Sequence, residues 1–218
     1  MEAIVFDMDG VLLSTDRMHF EAWKALADRL GLPFDETKAQ RCLGLSRMES
    51  LEIVLEGSGR SFTAEEKEAL AEEKNRHYRA LLRGLTPGDL PEETVEVLCE
   101  LRRRGYRLAL ASSSKNAPEI LSRTGLGELL DCAVDGNDVK RAKPDPEVFL
   151  LAARRLGVAP ERCVGVDDAL SGVAAARAAG MTVAAVGFAS GAGAGDWNLK
   201  SLGALLERCP GAEREDKA

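Results

Sequence analysis

No apolar run in the 218 residues approaches the ~20 needed to cross a bilayer as a helix. The first such run, beginning at Ala3, is interrupted by Asp7 and does not read as a signal peptide. Clustered basic residues are also missing. Lys and Arg number 29 against 36 Asp and Glu, spread along the chain, for a net charge of −7, which excludes the usual nucleic-acid footprint. Aromatic residues make up only 5%, so the core must be mainly aliphatic. The five cysteines (Cys42, Cys99, Cys132, Cys163 and Cys209) are odd in number, far apart and without any C-x-x-C, which excludes zinc-ribbon and dithiol redox motifs. They are expected to be reduced, mostly buried thiols of a cytoplasmic protein.

What is present is an ordinary globular balance, 45% hydrophobic and 30% charged, with 21 glycines. Ala3-Ile-Val-Phe-Asp-Met8 is apolar without alternation, as a strand buried on both faces requires. Leu108–Ala111, Cys163–Val166 and Thr182–Val186 repeat the pattern, and Cys132–Val134 repeats it more weakly. Helical periodicity fills Glu92–Arg104, Pro118–Arg123, Pro146–Leu156 and Leu170–Ala179, each followed by a glycine (Gly105, Gly125, Gly157, Gly180) suited to a left-handed helix end. Strand alternating with helix predicts an α/β fold, a doubly wound parallel-sheet (Rossmann-like) core. Residues 15–84 break the rhythm. They read as helices only, with Ser46-Arg-Met-Glu49 and Thr63-Ala-Glu-Glu66 as capping-box starts. The expected organisation is therefore a catalytic core of residues 1–14 and 85–218 with an inserted helical cap domain over 15–84. The Gly/Ala-rich stretch Gly187–Gly195 is expected to be a mobile loop.

Polar groups stand where the apolar strands end: Asp7 and Asp9 after the first, Ser112 and Ser114 after the second, Asp167 and Asp168 after the next. Ligands of open α/β sheets bind at those carboxyl ends, so these residues are expected to converge. Several carboxylates in one crevice repel one another, and a hard cation relieves the repulsion. An isolated Asp there is more often a helix or turn cap. A D-x-D after one strand with a D-D pair after another points instead to a Mg²⁺ site of Asp7, Asp167 and Asp168, with Asp9 joining through its backbone carbonyl. Lys143, kept out of helix by Pro144, would add a point charge for a phosphate oxygen.

Phe6-Asp-Met-Asp-Gly-Val-Leu12, Ser112, Lys143 and Asp167-Asp168, in that order, resemble the four motifs of the haloacid dehalogenase-like phosphotransferases. The resemblance implies covalent phosphoryl transfer, with Asp7 as nucleophile, Asp9 as general acid and base, and Ser112 and Lys143 holding the transferring group. Within that superfamily, Met18-His-Phe-Glu-Ala-Trp-Lys-Ala-Leu26, Gly44-Leu-Ser-Arg47, Lys74-Asn75 and Ala111-Ser-Ser-Ser-Lys-Asn116 are similar to the β-phosphoglucomutase family. That similarity implies interconversion of β-glucose 1-phosphate and glucose 6-phosphate through a bisphosphate. It also implies a substrate-binding set of His19, Trp23, Gly44, Arg47, Lys74, Ser114, Lys115 and Asn116. Departures are Ser14 where that family commonly has Asp, Leu43 where a Lys is familiar, and Ala169 where a Ser is usual. The expected partner is a small phosphorylated sugar, with no nucleic acid and no membrane, acting on a monomer.

Two other functions use the same residue types. A sugar-phosphate phosphatase would share the whole core. A phospho-accepting signalling domain would also gather Asp, hydroxyl and Lys at strand ends, but its acidic pair should precede the phosphorylated Asp and it would lack the helical insertion. An idle binding protein is disfavoured by the intact Asp7/Asp9 pair.

Overall fold

A computed structural model describes residues 1–42 and 45–211. The chain forms two compact units, Met1–Ser14 with Leu85–Ala218, and Thr15–Gly84. In chain order the first elements are β1 (Ala3–Phe6), α1 (Asp16–Leu30), α2 (Glu36–Cys42), α3 (Arg47–Leu55), α4 (Ala64–Leu82) and α5 (Glu92–Arg103). There follow β2 (Arg107–Ala111), α6 (Ala117–Thr124), β3 (Cys132–Val134), α7 (Glu147–Leu156), β4 (Cys163–Asp167), α8 (Leu170–Ala178), β5 (Thr182–Ala185), α9 (Gly187–Gly191), β6 (Trp197–Asn198) and α10 (Leu205–Arg208).

The α/β unit is built on a six-stranded sheet of order β3-β2-β1-β4-β5-β6, parallel throughout. All four residues of β1 are fully buried, which is why that segment is apolar without alternation. Register is what positions the site. Phe6 lies level with Leu110 of β2 and with Val166 of β4. Asp7 and Asp167 therefore leave adjacent strands side by side, and Ser112 emerges on the other flank one residue later. The strand order reverses at β1, the place where open α/β sheets form a crevice. Gly105, Gly125, Gly157 and Gly180 all adopt positive φ just past their helices.

Two stretches depart from expectation. Gly187–Gly195 is not simply a loop, because its first five residues form α9. Glycine disfavours helix, but tertiary contacts override the propensity here. Ala189 is fully buried, its N–H donates to Asp168 O at 2.8 Å, and Ser190 Oγ donates to Leu199 O at 2.8 Å. The sixth strand, β6, has two residues and is too short to leave a periodic signal. Among the cysteines, Cys163 and Cys209 are buried, Cys42 and Cys132 half-buried, and Cys99 is exposed on the outer face of α5. None is disulfide-bonded. No described helix is long and apolar enough to cross a membrane.

The second unit is helical, α1 to α4, around a core that includes Trp23, Leu26, Phe34, Leu51 and Val54. Both capping boxes form. The Glu49 N–H donates to Ser46 Oγ while Glu49 accepts from the Ser46 N–H, and Thr63 and Glu66 do the same for α4.

Candidate active site

Asp7 begins the turn after β1, and its N–H donates to Val166 O at 2.9 Å, which locks it to β4. Its carboxylate accepts from Lys143 Nζ, which also donates to Asp167 Oδ2 at 2.8 Å. The ammonium thus sits between two carboxylates and 4.9 Å from the centre of the Phe149 ring. All three side chains are shielded, with exposures of 8% for Lys143, 14% for Asp7 and 2% for Asp167. The second Asp167 oxygen accepts the Ala169 N–H at 3.0 Å. One oxygen each from Asp7, Asp167 and Asp168 lies within 4.8 Å of the others.

Burial is the main cause that pushes the Asp7 carboxyl well above the ordinary carboxylate range. Lys143 opposes this, and the like charges of Asp167 and Asp9 reinforce it. Burial also works against the Lys143 ammonium, yet Asp167 and Asp7 outweigh it and hold that pKa above the usual lysine value. The cluster therefore carries more acid than its one lysine balances. Asp9, half-buried, sits in a tight turn closed by Gly10 N–H to Leu13 O at 2.8 Å. Gly10 has φ +78°, and a Cβ there would run into the Asp168 carboxylate, so only glycine fits.

The Lys143 loop is fixed by Glu147, whose carboxylate accepts the N–H groups of Lys140 at 3.2 Å and Arg141 at 2.9 Å. Sequence reasoning missed Glu147; its signal was an acid in the first turn of α7. Ser112 is buried, and its N–H donates to Val134 O at 3.0 Å. Ser112 Oγ accepts from the Ser114 N–H at 3.1 Å, and Ser114 Oγ accepts from the Asn116 N–H at 3.2 Å. The hydroxyls so shape the loop into α6, with Lys115 exposed at its tip.

In the helical unit, His19, Trp23 and Lys74 come together. Lys74 is only 3% exposed although it stands in a charged run. Its Nζ lies 2.7 Å from His19 Nδ1, and 4.7 Å from the ring centres of both Trp23 and Tyr78. An ammonium only donates, so His19 Nδ1 accepts and the neutral ring carries its proton on Nε2. Tyr78, also missed from the sequence, stacks on His19 at 4.1 Å and shares a hydrogen bond with Thr15 Oγ1 at 2.8 Å. It lies one turn from Lys74, the spacing that puts His19 and Trp23 on one face of α1. Arg47, the first residue of α3, donates to Asn75 Oδ1 at 3.0 Å. Gly44 lies outside the described residues.

Burial, then the charges of Lys74 and Arg47, lower the His19 pKa from 6.5 to about 3. The unfolded chain binds the extra proton between those values, so this contribution to stability is full above pH 6.5 and is lost as pH falls toward 3. By pH 5 the loss amounts to about 2 kcal/mol. His19→Asn should flatten that limb in urea unfolding at pH 7 and pH 5. Equal slopes for variant and wild type would show that His19 is not held neutral.

The haloacid dehalogenase-like hydrolase profile matches residues 1–180. The chain belongs to the haloacid dehalogenase-like hydrolases. It is 41% identical over 189 residues to the β-phosphoglucomutase of Bacillus subtilis (strain 168), covering 86% of this chain and 84% of that one. It is 39% identical over 184 residues to a phosphorylated carbohydrates phosphatase of Thermotoga maritima, covering 83% and 82%. The crystal structure of a Clostridium difficile β-phosphoglucomutase superposes with a TM-score of 0.84 at 35% identity, over 94% of this chain and 93% of that one. This haloacid dehalogenase-like enzyme therefore works by phosphoryl transfer or hydrolysis.

Proposed function

We propose that the enzyme is a Mg²⁺-dependent phosphohexomutase interconverting β-glucose 1-phosphate and glucose 6-phosphate. The observation that supports it is the Asp7–Lys143–Asp167 cluster, in a chain 41% identical to a β-phosphoglucomutase over 86% of its length. That span exceeds what the α/β unit alone contains.

Mg²⁺ takes oxygen ligands, and the donor set fits. Asp7, Asp167 and Asp168 converge three carboxylates, with Asp9 close enough to add its charge to Asp7, against a single ammonium. Bound there, the ion would offset negative charge on the phosphoryl group. With the bisphosphate intermediate bound, the Asp7 carboxylate attacks one phosphorus and the bond from that phosphorus to the sugar oxygen breaks, leaving a sugar monophosphate. Asp9 gives that oxygen its proton, then removes one from the incoming sugar hydroxyl, which takes the phosphoryl group back from Asp7. Ser112 and Lys143 hold phosphoryl oxygens. His19, Trp23, Gly44, Arg47, Lys74, Ser114, Lys115 and Asn116 are assigned to the sugar and its second phosphate. The second reading, a sugar-phosphate phosphatase, differs only in that water receives the phosphoryl group. The 39% identity to the Thermotoga maritima phosphatase favours it.

One assay separates the two. The protein is incubated with β-glucose 1-phosphate, Mg²⁺ and a trace of glucose bisphosphate while glucose 6-phosphate and free phosphate are both followed. Isomerisation should dominate; rapid phosphate release with little glucose 6-phosphate would decide for the phosphatase. Asp9→Ala should fold normally and lose ~10²–10⁴-fold in turnover, the usual worth of general acid–base help, and an unchanged rate would remove Asp9 from that role. Arg47→Ala should impair sugar-phosphate turnover more than hydrolysis of a small aryl phosphate. Equal losses on both substrates would mean that Arg47 does not hold the second phosphate.

A further inference from the structure

Gly172 is the third residue of α8, buried, with no positive φ. Its backbone does not require glycine, and glycine inside a helix costs stability relative to alanine. Something else must exclude a side chain. A Cβ built on Gly172 falls on the Cγ and both oxygens of the Asp167 carboxylate. Gly165 also excludes a side chain, but there the Cβ would clash with the Ala176 methyl at 2.7 Å, a packing group with no part in the site. Gly10 also faces a carboxylate of the site, but its φ of +78° demands glycine in any case.

We infer that Gly172 is a positioning residue of the active site: the space left by its absent side chain is the slot in which the Asp167 carboxylate lies. That carboxylate cannot simply move aside. One oxygen is held by Lys143 Nζ at 2.8 Å and the other by the Ala169 N–H at 3.0 Å, and the side chain is only 2% exposed. A methyl group at 172 displaces the carboxylate and breaks at least one of these bonds. It thereby disturbs the cation holding Asp7 and the oxygen that Asp167 offers to a metal. The inference rests on the proposed function only in giving Asp167 a role in phosphoryl transfer.

The test is a cycle of four proteins: wild type, Gly172→Ala, Asp167→Ala and the double variant. Thermal midpoints are read by circular dichroism without metal or substrate, and Mg²⁺ affinity by calorimetry. Gly172→Ala should lower the midpoint of the wild type. In the Asp167→Ala background it should leave the midpoint unchanged or raise it, because the methyl then fills the vacated slot and alanine is the better helix former. Mg²⁺ affinity should fall at least tenfold in Gly172→Ala, with no further fall on adding that change to Asp167→Ala. An equal drop in midpoint in both backgrounds would overturn the inference, as would wild-type Mg²⁺ affinity in Gly172→Ala. If the single variant fails to fold, a folded double variant supports the inference and an unfolded one overturns it. If the wild type binds no Mg²⁺, the proposed function loses its metal, and the midpoint cycle still decides the role of Gly172.

Discussion

Asp7→Asn is expected to reduce phosphoryl transfer by at least about 10⁴-fold, the scale seen when a covalent nucleophile is removed, while the fold survives. The substitution is nearly isosteric. It keeps the backbone bond from the residue 7 N–H to Val166 O at 2.9 Å, and it leaves an amide oxygen to accept from Lys143. What it removes is the negative charge and the lone-pair basicity needed to bond phosphorus. The charge is costly where it lies, since burial and the nearby Asp167 both disfavour it. Thermal stability should therefore hold or rise in the variant, a divergence of stability from activity that marks a functional strain. Steady-state turnover and acid trapping of phosphoenzyme check this. Turnover near wild type, or phosphate still captured at residue 7, would remove Asp7 from its role.

The fold and the core of the candidate site were legible because both are written in local signals. β1 is buried on both faces, so Ala3–Phe6 has no polar residue, and the first polar group, Asp7, marks the strand's end. The same holds for β4 and Asp167. Parallel register then turns equal strand ends into spatial neighbours. Ser46/Glu49 and Thr63/Glu66 announced α3 and α4 because a capping box is satisfied within four residues. What was not legible depends on contacts distant in sequence. α9 forms in a glycine-rich stretch because Asp168 O and Leu199 O receive its polar groups. Lys74, placed in the substrate-binding set by resemblance alone, stands among Glu72, Glu73 and Arg76, a run with the composition of a solvated face, yet it is buried between Trp23 and Tyr78. Gly172 gave no signal at all, because its meaning lies in the volume of another residue's carboxylate.

Lys143 carries the second large effect. Lys143→Ala leaves Asp7 and Asp167 facing each other across the place where the ammonium stood, both shielded from water. Breaking a buried ion pair by removing one partner typically costs ~3–5 kcal/mol, because the remaining charge stays buried without compensation. Asp7, already pushed toward its protonated form by burial and by Asp167, sheds part of that cost by taking up a proton, so a deficit toward the lower end of that scale is expected in urea unfolding without metal. Turnover should fall by about 10²–10³-fold, the usual loss when one preorganised donor to a developing charge is removed. Lys143→Met separates the causes. It restores apolar contact with Phe149 but not the charge, so it should recover part of the stability and none of the turnover. Added Mg²⁺ then becomes diagnostic. A ligand that binds only the folded state stabilises it by mass action, and in the variant the ion would also supply the missing positive charge between the carboxylates. The rise in thermal midpoint on adding Mg²⁺ should therefore be larger for Lys143→Ala than for wild type. An equal or smaller rise would mean that the lysine and the metal do not serve the same carboxylates, and the assignment of Asp7 and Asp167 to the metal would have to be given up.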